Sequence, residues 1–229
     1  LKDIDVLILC GGKGSRFRSE MEDFPKGLAP IGGKPILEIL TDDLVFQGFR
    51  RIILGVGHFR DHIINHYKGR SDAEYSFSIE ETPLGTGGAV KYAEKRIQSD
   101  CALVLNGDSM CKVDYGNFLK FHQRKQSFLS IVTSYSENTM DYGSIVLNPY
   151  QKILSFQEKV SSQKIDISSG LKNYVNSKIF LRSEKFILND PIWNLISKDF
   201  QILRITSIKN SPGILLQAAD ILLNGNFKK

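Results

Sequence analysis

Short, continuous apolar runs alternate with amphipathic segments along the first 135 residues. The runs Val6–Leu9, Ile52–Val56 and Ala102–Leu105 are aliphatic throughout, as expected of strands that are buried on both faces. Between such runs, apolar residues recur at helical spacing, as in the segment that opens at Lys34-Pro35, and Gly48 stands where that helix ends. This alternation predicts an α/β fold with a mostly parallel sheet and helices on both faces. The remaining predicted elements of this part are strands over 76–79 and 128–134 and helices over 61–67, 89–96 and 115–126.

From Tyr142 onward the pattern changes to shorter strands, which is typical of an antiparallel or mixed extension of the sheet. We predict strands over 143–147, 153–157 and 174–181, and a polar loop over 161–170. A last helix is predicted from Pro212, with Leu215, Leu216, Ala219, Leu222 and Leu223 on its apolar face. No repeat and no linker interrupts the chain, so we expect a single domain over residues 1–229.

Composition narrows the class of protein. The chain has 229 residues, of which 41% are hydrophobic, which suffices for one substantial core. No apolar run approaches the roughly 20 residues of a membrane span, and no secretory signal is visible. Because the first residue is Leu1, we expect a trimmed chain or a part of a longer one. The three cysteines cannot all pair and lack metal-site spacing, so a cytoplasmic location is expected.

The charge balance favours small anionic ligands over nucleic acid. The net charge of +5 comes from 30 basic and 25 acidic residues that are dispersed along the chain. No basic-aromatic module and no zinc-finger spacing accompanies it. We therefore expect neither a nucleic acid nor a membrane as a partner.

A glycine-rich loop follows the first strand, in the sequence Cys10-Gly11-Gly12-Lys13-Gly14-Ser15-Arg16. Glycine lets the backbone approach a ligand, and the two cations suit phosphate groups. The loop is neither a Walker A motif nor a dinucleotide fingerprint. By itself, the loop is equally compatible with phosphate binding and with an ordinary glycine turn whose cations lie on the surface.

Three further polar segments lie at or near the ends of predicted strands. They are a second glycine loop at Thr82–Gly88, the carboxylate of Asp108, and the pair Glu158-Lys159. Ligands of open α/β sheets gather at the carboxyl ends of strands, so we expect these segments to line one cleft that takes a nucleoside triphosphate and a metal. The structural alternatives are a helix cap for Asp108 and an ordinary surface pair for Glu158-Lys159. The four histidines show no partner pattern and are interpreted as surface or packing residues.

The order of these motifs resembles the sugar-1-phosphate nucleotidyltransferases over roughly residues 4 to 182. The resemblance rests on Gly11–Arg16 with Pro25-Lys26, Leu84–Ala89, Asn106-Gly107-Asp108, Tyr142-Gly143, Glu158-Lys159 and Asn176. In motif form the chain is most similar to the heptose-1-phosphate guanylyltransferases. The resemblance implies a Rossmann-like, GT-A-like fold, with nucleotide bound by residues 1–135 and sugar by residues 136–229.

The resemblance also implies a reaction. A sugar 1-phosphate oxygen attacks the α-phosphorus of a nucleoside triphosphate, here GTP, and pyrophosphate leaves; heptose or mannose phosphate is the expected acceptor, and the product serves cell-surface polysaccharide synthesis. No general base is required, because the attacking phosphate is largely ionised at neutral pH. The implied catalytic residues are Arg16, Lys26 and Asp108, with Mg²⁺ held by Asp108. The implied nucleotide-binding residues are Cys10, Gly11, Gly12, Gly14, Ser15, Gly85 and Thr86. The implied sugar phosphate-binding residues are Gly143, Glu158, Lys159 and Asn176.

The chain departs from the family pattern at several positions. Gly27 replaces a proline after the lysine, which predicts a looser loop, and Val160 and Lys178 replace a proline and a glycine. Ile208 stands where the family has a second metal-binding aspartate, for which Asp190 or Asp199 are the candidate substitutes. Two alternatives therefore stay open: an impaired homologue that only binds nucleotide, and the same reaction on another base or acceptor, such as an amino sugar phosphate or phosphocholine. A homodimer is a further alternative.

Overall fold

The computed structural model describes residues 1–12, 24–126, 129–135, 144–147, 153–157, 173–183 and 217–220. These residues form two compact units, which divide between Lys112 and Val113. Within them, no helix combines the length and apolarity that crossing a membrane would require.

The first unit consists of parallel strands connected by helices. In chain order its elements are β1 (Asp5–Leu9), a 3-10 turn (Lys26–Leu28), β2 (Pro30–Ile31), β3 (Lys34–Pro35), α1 (Ile36–Phe46), β4 (Arg51–Val56), α2 (Arg60–Tyr67), β5 (Glu74–Ile79), α3 (Gly85–Ala93), a second 3-10 turn (Glu94–Arg96) and β6 (Cys101–Asn106). The short strands β2 and β3 pair as an antiparallel hairpin.

The parallel strands lie in the order β6-β1-β4-β5. Leu9 is paired with Gly55 on one side and with Asn106 on the other, so the three strands end at the same level. The chain moves from β1 through β4 to β5 and then returns to β6 on the far side of β1. Right-handed crossovers therefore place α1 and α2 on one face of the sheet and α3 on the other. The reversal creates a topological switch point between β1 and β6, where ligands bind in such sheets.

Burial on both faces explains the continuous apolar runs of the central strands. Val6, Leu7 and Ile8 of β1 have no exposed surface, because helices cover both sides of this strand. On α1, the apolar stripe of Leu37 and Leu44 is equally buried. Burying each such side chain stabilises the fold by about 1.5–3 kcal/mol, which makes β1 the centre of this unit.

A buried carboxylate ties the amino ends of the strands together. Asp5 accepts hydrogen bonds from the backbone N–H groups of Gln98 and Ser99, at 2.6 and 2.7 Å, and from the Ser99 hydroxyl at 2.9 Å. Its other oxygen lies 2.7 Å from Nε of Arg51 on β4. These contacts hold the loop before β6 to β1. They also supply the buried Asp5 carboxylate with hydrogen-bond partners.

The second unit contains antiparallel strands and one helix. Its elements are α4 (Tyr115–Arg124), β7 (Leu129–Tyr135), β8 (Ser144–Leu147), β9 (Ile153–Gln157), β10 (Asn173–Ser183) and β11 (Gln217–Asp220). Strand β10 pairs with β7 and β8, while β8 also pairs with β9 and β7 with β11. Asp114 caps α4 by accepting the Asn117 N–H at 2.9 Å, and a buried contact of 2.8 Å between His122 Nδ1 and Ser130 Oγ joins α4 to β7.

The α/β class and the antiparallel pairing of the later strands are confirmed, but two helix predictions need correction. Helix α3 begins at Gly85, four residues before the predicted start at Ala89, so the second glycine loop forms its first turn. The last predicted helix is wrong at 217–220, where the chain forms β11 and Ala219 pairs with Ile131. Its apolar residues form short runs whose spacing does not distinguish helix from strand, and pairing with β7 decides the outcome. The predicted loop over 161–170 lies outside the described residues, and the division into nucleotide and sugar parts near residue 135 stays a prediction.

Candidate functional site

The loops that follow β1 and β6 leave the sheet side by side at the switch point. The N–H of Cys10 donates to the carbonyl of Gly55 at 2.7 Å, and the N–H of Gly107 donates to the carbonyl of Leu9 at 3.0 Å. These bonds extend the parallel pairing by one residue beyond each strand. The first glycine loop and the segment with Asp108 are therefore neighbours, as the sequence predicts.

The segment that carries Lys26 packs directly against residue 107. A Cβ added to Gly27 would lie 3.2 Å from the carbonyl oxygen of Gly107 and 3.5 Å from Cβ of Leu37. Gly27 is buried in this contact. The missing side chain at Gly27 allows a close approach of two backbones, so Lys26 and Asp108 lie on touching segments; the expectation of a looser loop stays a prediction.

Cys10 points into the core instead of toward a ligand. Its Sγ lies 2.7 Å from where a Cβ on Gly107 would stand and contacts the carbonyl of Ile8 at 3.5 Å. Burial raises the pKa of the Cys10 thiol far above its usual range, and the nearby charge of Asp108 raises it further. Because the N–H of Cys10 donates to Gly55, it is not available to a nucleotide, and the half-buried thiol lies against Gly107.

Asp108 is the carboxylate that could contribute a ligand to the predicted magnesium ion. Asp108 is an exposed carboxylate at the end of β6, and carboxylate oxygen is the ligand type that Mg²⁺ prefers. No cluster of three or more His, Cys, Asp or Glu in the part of the chain that the structure describes could hold a metal by itself. Sites with one or two carboxylates, completed by water and substrate phosphates, are typical of Mg²⁺.

Glu80, which follows β5, is a further candidate site residue that was not predicted from the sequence. Its Oε1 is 3.5 Å from where a Cβ on Gly11 would stand, and its Oε2 accepts the N–H of Leu84 at 3.2 Å. The carboxylate therefore lies between the first glycine loop and the start of α3. Burial raises the pKa of Glu80, and the hydrogen bond from Leu84 partly opposes this effect. An acidic residue at the end of a strand, two positions before a glycine loop, is the signal that could have found it.

The other glycine contacts show how closely the segments approach. Gly11 and Gly57 touch through their backbones, since a Cβ on Gly57 would be 3.3 Å from the Gly11 carbonyl oxygen. Gly85, at the start of α3, has a φ of 70°, which favours glycine. With Thr86 it forms the amino-terminal turn of α3, where N–H groups and the helix dipole favour anions.

Several predicted site residues lie wholly or partly outside the described part of the chain. Asn176 is located through its backbone only: it lies in β10 opposite Thr133 of β7, and the register shifts between Asn176 and Phe180. The predicted residues that lie outside the described part of the chain are Gly14, Ser15, Arg16, Gly143, Glu158 and Lys159, together with Ile208, Asp190 and Asp199.

Comparison with known proteins is consistent with this architecture. A family model described as nucleotidyl transferase matches residues 5–205. The D-glycero-alpha-D-manno-heptose 1-phosphate guanylyltransferase of Campylobacter jejuni is 34% identical over 188 residues, which cover 80% of this chain and 82% of the relative. The protein of the same name from Aneurinibacillus thermoaerophilus is 30% identical, with 80% of each chain covered.

A solved structure shares both sequence and fold with this chain. The HddC protein of Yersinia pseudotuberculosis, crystallised with GMP-PN, superimposes with a TM-score of 0.71 at 33% identity, covering 86% of this chain and 85% of HddC. Its arrangement of strands and helices confirms the predicted Rossmann-like class.

Proposed function

Because the chain belongs to the nucleotidyl transferase family, we propose that it transfers a guanylyl group from GTP to a heptose- or mannose-type sugar 1-phosphate and releases pyrophosphate. The enzyme class, a sugar-phosphate nucleotidyltransferase, is that of its relatives. The base, the sugar and the roles of individual residues are the proposal.

The reaction requires two polyanions to meet in line, so charge and positioning dominate catalysis. Lys26 contacts the α-phosphate and stabilises the charge that develops there. Asp108 holds Mg²⁺, which when bound neutralises charge on the phosphates. The contact between Gly27 and Gly107 supports this assignment, because it keeps the lysine and the carboxylate on adjacent segments at the switch point.

The position of Glu80 is the observation that carries the choice of guanine. A carboxylate accepts hydrogen bonds and donates none. Guanine presents two neighbouring donors on its Watson–Crick edge, N1–H and the 2-amino group, whereas uracil and thymine flank one N–H with carbonyl oxygens that a carboxylate repels. Glu80 keeps lone pairs besides the one used by Leu84, and it lies between the two glycine segments. We therefore place the guanine edge against Glu80.

The sugar half of the proposal rests on the relatives. Two of the relatives described above act, by their names, on a heptose 1-phosphate. Gly143, Glu158 and Asn176 are proposed to contact the sugar, and Lys159 its phosphate, as the motif order implies. Arg16 is proposed to hold the leaving pyrophosphate, since a guanidinium suits phosphate oxygens.

The test of the reaction is pyrophosphate release with Mg²⁺, each of the four nucleoside triphosphates and a panel of sugar 1-phosphates. We expect turnover with GTP and a manno-configured acceptor, and a loss of about 100-fold or more for Lys26→Ala and Asp108→Asn. Asp100→Asn is the matched control for Asp108→Asn, because both are exposed carboxylates that flank β6. GTP binding without pyrophosphate release from any pair would favour the impaired homologue instead.

The test of the base compares GTP with ITP, whose base lacks the 2-amino group. A hydrogen bond to a charged group contributes about 1.5–3 kcal/mol, so the wild type should prefer GTP by about 10- to 100-fold in kcat/KM. Glu80→Gln should remove most of that preference, because glutamine supplies one acceptor and an opposing donor. Glu81→Gln is the control, since Glu81 is exposed and pairs with Arg60. A Glu80→Gln variant with an unchanged GTP-to-ITP ratio would contradict the guanine assignment.

A further inference from the structure

The turn between β4 and α2 contains a strained aromatic residue beside the first glycine loop. Phe59 has a φ of 63° and a ψ of 21°, a left-handed conformation that is unfavourable for a bulky side chain. Two residues earlier, the backbone of Gly57 touches that of Gly11. Strain of this kind persists only where the surroundings enforce it, and it is concentrated at functional sites.

This conformation places Phe59 in a three-ring cluster that reaches the segment with Lys26. The ring centroids of Phe59 and His62 are 6.0 Å apart at an interplanar angle of 88°. His62 also contacts the ring of Phe24, with the ring centroids 6.2 Å apart and an interplanar angle of 73°. Both contacts have the edge-to-face geometry that aromatic pairs prefer. The imidazole thus connects α2 to a residue that lies two positions before Lys26.

Phe24 lies near the surface. Its side chain is 38% exposed, and its ring contacts His62 on α2. The hydrogen bonds from Leu28 to the Pro25 carbonyl and from Ala29 to the Lys26 carbonyl stay within the segment, so they shape the turn without attaching it to α2. The Phe24 ring holds the amino end of this turn, and the contact of Gly27 with Gly107 holds the turn on its other side.

We propose that Phe24, His62 and Phe59 form an aromatic bracket that positions Lys26 for phosphoryl chemistry. The three are positioning residues, and the inference rests on the proposed role of Lys26. Displacing a catalytic group by about 1 Å can cost on the order of 100-fold in rate. Loss of the bracket should therefore affect turnover much more than substrate binding or stability.

Steady-state kinetics of pyrophosphate release test the bracket. For Phe24→Ala and His62→Ala we expect kcat to fall by about tenfold or more, with the KM for GTP within about twofold of wild type. His62→Phe and Phe24→Tyr keep the rings and should restore most of kcat. Phe46→Ala is the control, because Phe46 is a 90% exposed aromatic residue on α1. Unchanged kcat in both alanine variants, or no recovery in the ring-retaining variants, would overturn the proposal.

Amide hydrogen exchange separates this proposal from the proposed function. Phe24→Ala and His62→Ala should accelerate exchange at Leu28 and Ala29 by about tenfold, whereas Lys26→Ala should leave it unchanged. If the wild type releases no pyrophosphate from any substrate pair, the proposed function fails and the exchange rates still decide whether the bracket holds the segment. Wild-type exchange in both bracket variants overturns the bracket whatever the activity.

Discussion

A single methyl group at Gly107 should destabilise the first unit measurably, because Gly107 is where the ends of β1 and β6 touch. In Gly107→Ala the new Cβ would stand 2.7 Å from Sγ of Cys10, 3.2 Å from Cδ1 of Leu37 and 3.3 Å from Cγ2 of Ile8. The leucine methyl lies at the end of a rotatable side chain and can move aside. The cysteine sulfur is the closest of the three atoms, so the Cys10 side chain must rotate about χ1 or the backbone must shift.

The magnitude follows from the cost of overpacking. Extra methylene groups in a well-packed core cost about 1–3 kcal/mol, and in proteins of this length each kcal/mol lowers the melting temperature by about 2–4 °C. We therefore expect Gly107→Ala to melt about 2–12 °C below wild type. Gly55→Ala is the matched control in the neighbouring strand β4, because its new Cβ would meet no atom closer than 3.5 Å; we expect a change of less than about 1 kcal/mol there.

The double variant Cys10→Ala/Gly107→Ala identifies the atom responsible. Removing Sγ takes away the closest contact, so the double variant should be more stable than Gly107→Ala alone, with a favourable coupling of about 1 kcal/mol or more. Urea unfolding followed by circular dichroism supplies the four free energies of unfolding for the cycle. Additive effects in the cycle, or a Gly107→Ala variant as stable as wild type, would refute the reasoning.

Three further predictions concern titratable groups. Burial raises the pKa of Glu80 above its value in the unfolded chain, so the ionised carboxylate lowers the free energy of unfolding at neutral pH. This cost disappears as the pH falls and the carboxylate is protonated. Glu80→Gln should therefore melt at a higher temperature than wild type at pH 7, by a margin that shrinks toward pH 4.5. Since only the thiolate reacts and the pKa of Cys10 is strongly raised, native Cys10 should resist iodoacetamide at pH 8 while urea-unfolded chain is labelled, as read by mass spectrometry; rapid native labelling would contradict this. Arg70 bonds Asp42 at 2.7 Å and Asp72 at 2.6 Å, so Arg70→Ala should lose about 2 kcal/mol in urea unfolding, and Arg70→Lys less, because it keeps the charge without the planar fork.

Much of the first unit could be predicted from local pattern. The apolar runs of β1, β4 and β6 are continuous because helices bury both faces, and a two-sided burial leaves a pattern that needs no tertiary information to recognise. The positions of Asp108 and of the first glycine loop were predictable for a related reason. Parallel strands end at a common edge, so loops after such strands become neighbours wherever the chain order reverses.

Short segments with competing patterns were less predictable. Gly85–Gly88 contains three glycines, which oppose a helix by propensity, yet these residues form the first turn of α3. At 217–220 the apolar spacing suits either a helix or a strand, and pairing with β7 decides the outcome. In both cases packing against other parts of the chain outweighs the local preference.

By itself, the sequence determined the α/β class and the order along the chain of the polar segments that follow the strands. It also indicated the kind of ligand that two glycine loops and a carboxylate suit. Only the tertiary structure decided that Glu80 lies between the glycine segments and that His62 connects Phe24 to Phe59. The physical reason is the separation along the chain between the residues that each signal involves. Helical and strand periodicity are properties of neighbouring residues, whereas a contact such as that between Phe24 and His62 joins residues whose separation along the chain carries no periodic signal. Those contacts exist because the packed sheet brings its loops to one edge, and the side chains that meet there become a site.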